Sequence, residues 1–266
     1  MCMRILNWEQ FIQNGAEYGP LSLSIGVFDG VHRGHQELIG QVCRGGSVPS
    51  LISFRENPLS VLEPKAYRGE IFSLEQKIDT LEALGISLFV LVDFSENFSK
   101  LKGEDFFKLL MCKCRMESLI LGPDFRCGWR LDTGMAEIKE LADRSGVKVL
   151  EVPPVMDAGR PISSSRIREA ILAGNLAEAQ QLLGRKVQID LSGMAEVSAG
   201  SFDANSVCRV TPPSGTYRAV IGAGRVSGSE KSPHEYEGTV VIDNGIITVP
   251  AADSGKKFKP GRLLFL

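Results

Sequence analysis

A chain of 266 residues, 43% hydrophobic and 23% charged, has room for one large or two modest packed domains of soluble, globular type. Its formal net charge is -2, with no Lys/Arg cluster interleaved with aromatics, which excludes a broad nucleic-acid surface. No run of about eighteen apolar residues is present to span a membrane, and the opening MCMRILNWEQF lacks the basic-then-apolar pattern of a secretory leader.

Along the chain, short apolar runs alternate with amphipathic stretches from residue 21 to about 152. The runs LSLSIGVF (21–28), SLISF (50–54), SLFVLVDF (87–94), SLILG (118–122) and VKVLEV (147–152) read as strands. Several are continuously apolar, as in a parallel sheet covered on both faces. Between them, Ser73 and Gln76 form a capping-box signal, followed by Ile78, Leu81 and Leu84 at helical spacing and a stop at Gly85. Further helices are predicted over 104–114 and 135–145, the latter ending at Gly146. This alternation predicts a doubly wound α/β domain with helices on both faces. After residue 163 the pattern is helical. From about 187 it turns to glycines, serines and β-type runs, including YRAVIGA, GTVVIDNGIITV and RLLFL, with Asp243-Asn244-Gly245 as a hairpin signal between two β-branched runs. A boundary near Arg185 is therefore expected, with a small all-β unit after it.

Six cysteines stand at 2, 43, 112, 114, 127 and 208, and only Cys112 and Cys114 are close together. No paired C-x-x-C knuckle exists, so no zinc site is expected. The scatter predicts reduced, mostly buried thiols and a cytoplasmic protein.

Two segments point to anion chemistry. Strand 21–28 runs into Asp29-Gly30-Val31-His32-Arg33-Gly34-His35-Gln36, and Glu37, Leu38 and Ile39 read as the opening of a helix. A strand, a glycine-punctuated turn and a helix N-terminus together favour a phosphate. Gly30 and Gly34 allow close backbone approach, and His32 and His35, three apart, can face one point. From spacing alone, a capped turn with two solvated imidazoles is an equal reading; the position on the first strand-to-helix turn favours nucleotide binding. The second segment, Ile162-Ser163-Ser164-Ser165-Arg166-Ile167-Arg168, follows Pro161 and opens a helix. Taken alone it is an ordinary N-cap with solvated arginines; paired with the first, it forms a two-sided clamp on a triphosphate.

GVFDGVHRGHQ, with ISSSRIR about 125 residues downstream, resembles the N-terminal half of bacterial bifunctional riboflavin kinase/FMN adenylyltransferases, the FAD synthetases. Ser53-Phe54-Arg55-Glu56-Asn57-Pro58-Leu59 is similar to that family's Phe-acid-Pro-His/Asn-Pro-Leu segment. Gly122-Pro123-Asp124-Phe125-Arg126-Cys127-Gly128 is similar to its Gly-x-Asp-Phe-Arg-Phe-Gly loop, and Gly174 to Arg185 to its closing segment. The resemblance covers about residues 20 to 186. Arg55 and Glu56 replace the usual acid and proline, and Cys127 replaces an aromatic.

The resemblance implies a Rossmann-like nucleotidyltransferase domain over 1–186 and a truncated, inactive riboflavin kinase-like β domain over 187–266. There only Asp203-Ala204-Asn205 echoes the kinase motif and its threonine is missing, while Ser214 to Val220 resembles the following strand. The implied activity transfers AMP from ATP to FMN, giving FAD and pyrophosphate, with Mg²⁺ as cofactor and no riboflavin kinase step. The implied catalytic residues are His32, His35, Arg168 and Ser164. Gly26, Phe28, Asp29, Gly34, Ser163 and Ser165 would line ATP. Asn57, Pro58, Asp124, Phe125 and Arg126 would line the flavin, with Asn57 and Asp124 also able to place the metal. The expected partners are these small molecules alone, with a monomer as the expected state. A bifunctional kinase/synthetase, an HxGH enzyme acting on another phosphorylated acceptor, and a nucleotide-binding regulator without turnover are the rival readings.

Overall fold

The computed structural model describes residues 2–223, 235–250 and 260–266. By internal contacts the chain divides into two compact units, one of residues 1–67 and 78–161, the other of residues 68–77 and 162–266.

The first unit is a six-stranded parallel sheet of β1 (Arg4–Asn7), β2 (Leu21–Ile25), β3 (Val48–Phe54), β4 (Leu88–Val92), β5 (Met116–Leu121) and β6 (Lys148–Glu151), in the order β1-β4-β3-β2-β5-β6. The expected strands are all present: β2, β4 and β6 are shorter than expected, while β3 and β5 each begin two residues earlier. The edge strand β1 was not anticipated. Its sequence RILN is too short and too exposed to carry a period-two signal, and it is held by parallel pairing with β4, Arg4 opposite Leu88. The helices are α1 (Trp8–Asn14), α2 (Arg33–Cys43), α3 (Pro58–Leu62), α4 (Leu74–Ala83), α5 (Glu96–Ser99), α6 (Gly103–Lys113) and α7 (Met135–Arg144).

Why helices cover both faces is legible in β2. Leu21, Leu23 and Ile25 enter a core that also holds Phe106, Phe107 and Leu110 of α6 and Ile138 of α7. With a side-chain period of two, Ser22 and Ser24 turn to the other face, and α2 packs across β2, β3 and β5. Their small side chains let that helix approach closely.

The strand order also fixes a mouth. From β2 the chain moves to β3 and β4 on one side, whereas β5 and β6 lie on the other. The direction of winding therefore reverses between β2 and β5. In open α/β sheets, ligands bind beyond the strands' carboxyl ends at such a reversal.

In the second unit, α8 (Ser164–Leu172) packs on α9 (Leu176–Leu183). A short antiparallel pair, β7 (Met156–Asp157) and β8 (Arg160–Pro161), belongs to the first unit and precedes them. The remaining strands are β9 (Gln188–Asp190), β10 (Ala195–Ser198), β11 (Ser201–Asp203), β12 (Gly215–Ala223), β13 (Glu235–Asp243), β14 (Ile246–Thr248) and β15 (Pro260–Phe265). They form an antiparallel sheet in the order β10-β11-β14-β13-β12-β15-β9, a curled half-barrel. The predicted hairpin turn is real: Asn244 (φ 47°) and Gly245 (φ 81°) join β13 to β14. The capping box is too. The Gln76 amide donates to Ser73 Oγ at 3.1 Å, and Gln76 Oε1 accepts from the Ser73 amide at 3.0 Å. Ser73 Oγ also donates to Asp190 Oδ2 at 2.5 Å, while the backbone of Glu70 forms an isolated parallel β-bridge with that of Arg209. These long-range ties, invisible in sequence, bind residues 68–77 into the second unit.

The cysteines require a correction. All six are free thiols, but only Cys114 is buried, and Cys2, Cys112 and Cys208 are exposed. Only Cys112 of these lies in a helix, on its outward face; Cys2 and Cys208 stand in irregular segments, whose exposure composition does not reveal. No helix among the described residues is long and apolar enough to cross a membrane.

Candidate active site

The loop after β2 is strained at Phe28 and Val31. Phe28 (φ 51°), Gly30 (φ 73°) and Val31 (φ 36°) all occupy the left-handed region around a 3-10 turn at Asp29–Val31. For a β-branched residue this is a true outlier, and such positions cost about 1–3 kcal/mol each, persisting only where surroundings over-determine them. Here they are over-determined. Phe28, Asp29, Val31 and His32 are buried, Gln36 Nε2 donates to Val31 O at 2.9 Å, and Ser53 Oγ donates to Val27 O at 3.0 Å.

The result is a fixed pair of imidazoles. Helix α2 opens at Arg33, four residues earlier than the expected Glu37, because His32 is its N-cap. The His35 amide donates to His32 Nδ1 at 3.3 Å. In the neutral ring that leaves the proton on Nε2, making it a donor. The two rings stack with centroids 3.7 Å apart and planes 15° from parallel, and the Phe28 ring meets His35 edge-on at 5.2 Å. Gly26 is among the residues expected to line ATP. Its amide donates to Ile52 O at 3.1 Å, so it is committed to the sheet, and a side chain there would press on the Phe28 ring at 3.2 Å.

The other segments of this unit leave adjacent strand ends. Asn57 follows β3 and caps α3, its Oδ1 accepting from the Leu59 amide at 3.1 Å, with Pro58 as the first helical residue. Arg55 Nε donates to Asp93 Oδ1 at 2.7 Å, tying the ends of β3 and β4. That pair was not foreseen; two opposite charges 38 residues apart carry no local signal. Asp124, Phe125 and Arg126 lie in the loop after β5. Asp124 is exposed, Phe125 packs edge-on against Phe107 at 6.5 Å, and Arg126 Nε donates to Leu131 O at 3.0 Å. Burial, reinforced by Asp132, pushes the Cys127 thiol up to about 12, so it is a neutral packing group at physiological pH. The ends of β3, β2 and β5 thus gather the histidine turn, Asn57 and the Asp124 loop on one edge of the sheet.

Ser163 to Arg168 belong to the second unit. Ser163 caps α8, its Oγ accepting from the Arg166 amide at 3.3 Å, and Ser164 and Ser165 fill the first turn. Arg166 departs from expectation. Its Nε and Nη2 both bind Glu178 Oε1, at 3.1 and 3.0 Å, which makes it a strut between α8 and α9. Arg168 is buried, with Nε donating to Gly69 O at 2.8 Å. Among the described residues no cluster of three or more His, Cys, Asp and Glu is placed to hold a metal.

A parallel sheet of this order, with a histidine-bearing turn at its winding reversal, defines a doubly wound, Rossmann-like α/β fold. The sequence model of the family described as FAD synthetase matches residues 16–166, and the chain belongs to that family. A bifunctional riboflavin kinase/FMN adenylyltransferase of Buchnera aphidicola (Schizaphis graminum) is 32% identical over 174 residues, 63% of this chain and 56% of that protein. A Listeria monocytogenes protein named FAD synthetase is 27% identical over 206 residues, 75% of this chain and 81% of its own length. The chain thus spans little more than half the length of the bifunctional relative. The crystal structure of a macrolide-efflux protein from Streptococcus pneumoniae shares the fold, with a TM-score of 0.79 at 23% identity, covering 99% of this chain and 89% of that one.

Proposed function

We propose that the protein is an FMN adenylyltransferase, transferring AMP from ATP to FMN to give FAD and pyrophosphate in the cytoplasm. The observation that carries this reading is the stacked His32–His35 pair, with His32 Nε2 set as a donor, on a strained turn at the winding reversal of a FAD synthetase family member. A phosphate oxygen of FMN attacks the α-phosphorus of ATP, the bond to the bridging oxygen breaks, and pyrophosphate leaves. That FMN oxygen is already anionic near pH 7, so no general base is needed. Catalysis is then positioning and charge stabilisation. His32 and His35 donate to the α- and β-phosphate oxygens as charge builds. Gly34 and Ser163 to Ser165 offer amides and hydroxyls at two helix starts, and Arg168 adds fixed positive charge for the leaving pyrophosphate. Asn57, Pro58 and the Asp124 to Arg126 loop receive the flavin.

Magnesium would serve to neutralise the phosphates. It uses few protein ligands and keeps phosphate and water oxygens. Asp124, an exposed carboxylate, fits that habit; Asn57 Oδ1 already accepts the Leu59 amide and is the weaker candidate.

Residues 1–186 carry this activity in our reading, and residues 187–266 are a kinase-like unit without riboflavin kinase activity. Two contacts support that. Asp203 Oδ1 accepts from the Asn205 amide at 2.9 Å, and Asn205 Nδ2 donates to Asn244 O at 3.3 Å, so both side chains serve the local turn. The test is purified protein with Mg-ATP and either FMN or riboflavin, products resolved by chromatography. FAD from FMN and nothing from riboflavin is expected. Any FMN or FAD from riboflavin overturns the kinase-less reading, and no pyrophosphate from ATP plus FMN overturns the activity itself.

A further inference from the structure

The loop after β5 holds an apolar group in water by unusual means. The backbone of Cys127 and Thr133 closes it, with N–H to O distances of 3.0 and 3.1 Å. Between them Trp129, Arg130 and Leu131 form a 3-10 turn in which Arg130 and Leu131 both take φ 57°. Two consecutive side-chain-bearing residues in the left-handed region are strained and need support. They receive it: the Trp129 amide donates to Leu101 O at 2.9 Å, Arg126 Nε donates to Leu131 O at 3.0 Å, and Asp132 Oδ1 accepts from the Gly103 amide at 3.0 Å. What this frame presents is Trp129, 45% exposed, with the Arg130 guanidinium 4.5 Å from the centroid of its ring system.

A strained backbone that is held by three hydrogen bonds and displays a large indole is an outlier of the kind that clusters at ligand-binding sites. Its loop leaves the carboxyl end of β5, the strand beside β2 at the winding reversal, and so lies on the same edge of the sheet as the histidine turn. The aromatic that the sequence resemblance leads one to expect at 127 is a thiol here, and an aromatic surface stands two residues further on. An electron-rich indole is the natural stacking partner of a planar, electron-poor tricyclic ring. We infer that Trp129 is the surface on which the isoalloxazine ring of FMN stacks, with Arg130 as the positioning residue that holds the indole. This rests on FMN being the acceptor.

The experiment uses the full-length chain, ATP and FMN. Trp129→Ala is expected to raise KM for FMN about tenfold with a much smaller change in kcat, and Trp129→Phe to recover most of that loss. Emission of bound FMN supplies a second readout. Contact with an indole quenches a flavin strongly and contact with a phenyl ring does so far less, so quenching should weaken in both variants, even where Phe restores KM. Circular dichroism and sedimentation accompany each variant. A wild-type protein that forms no FAD from FMN defeats the adenylyl-transfer reading. A wild-type protein that forms FAD, alongside a folded Trp129→Ala variant with unchanged KM and unchanged flavin quenching, defeats the inference alone. A change in oligomeric state without a change in FMN affinity defeats it too, and assigns the indole to contact between copies.

Discussion

Helix α2 and helix α8 start in nearly the same way and are built for different purposes. Each is capped by the side chain of the residue before it, accepting from the amide three positions on at 3.3 Å: His32 from His35, and Ser163 from Arg166. At α8 the cap residue is extended, as at α2, and the left-handed Ala158 (φ 48°) lies further back, in the turn between β7 and β8; the neighbouring arginines serve the protein, Arg166 on Glu178 and Arg168 on Gly69 O. At α2 the approach runs through Phe28, Gly30 and Val31, all left-handed, and the cap is an imidazole. A serine caps more simply, so the histidine and the strain before it indicate a second task for that side chain. The lesson is that an anion-binding helix start is recognised less by its cap than by what the fold spends on reaching it.

The largest expected effect separates these two roles at α2. His32→Ser keeps an oxygen to accept the His35 amide and removes the Nε2 donor; turnover should fall on the order of a hundredfold or more with stability nearly preserved. Steady-state kinetics beside a thermal melt checks this, and near-normal turnover removes His32 from the chemistry. Arg168→Lys comes next. It keeps the charge and gives up the guanidinium's hold on Gly69 O, so we expect roughly tenfold lower kcat and about 1–3 kcal/mol lower stability from the buried carbonyl. Activity measured well below the melting temperature tells the two losses apart. A purely structural Arg168 would show only the second.

Smaller still is the matching change at α8. Ser163→Ala should cost about 1 kcal/mol in denaturant unfolding, with KM for ATP rising only a few-fold. A loss of turnover as large as that of His32→Ser would erase the contrast between the two helix starts. The smallest effect concerns thiol reactivity. The thiolate is the reacting form, and Cys127, pushed up to about 12 by burial and Asp132, should stay unlabelled by iodoacetamide at pH 8 while exposed Cys2 and Cys112 react. Its labelling should quicken only as the pH climbs toward 12, read peptide by peptide by mass spectrometry.

What the sequence determined by itself is local. The Asp243-Asn244-Gly245 turn, the Ser73–Gln76 capping box, the glycine stops and the apolar strands follow from hydrogen bonds and dihedral preferences within a few residues. So does the nearness of His32 and His35, which three-residue spacing at a helix start brings together. Only the tertiary structure decided the rest. It added β1 at the sheet edge through pairing with a strand more than eighty residues away. It turned Arg166 into a strut, gave the Gly26 amide to Ile52 and left Trp129 in solvent. Each of these depends on a partner far along the chain, and a single sequence carries no record of which distant groups meet, because loop closure and burial choose them together.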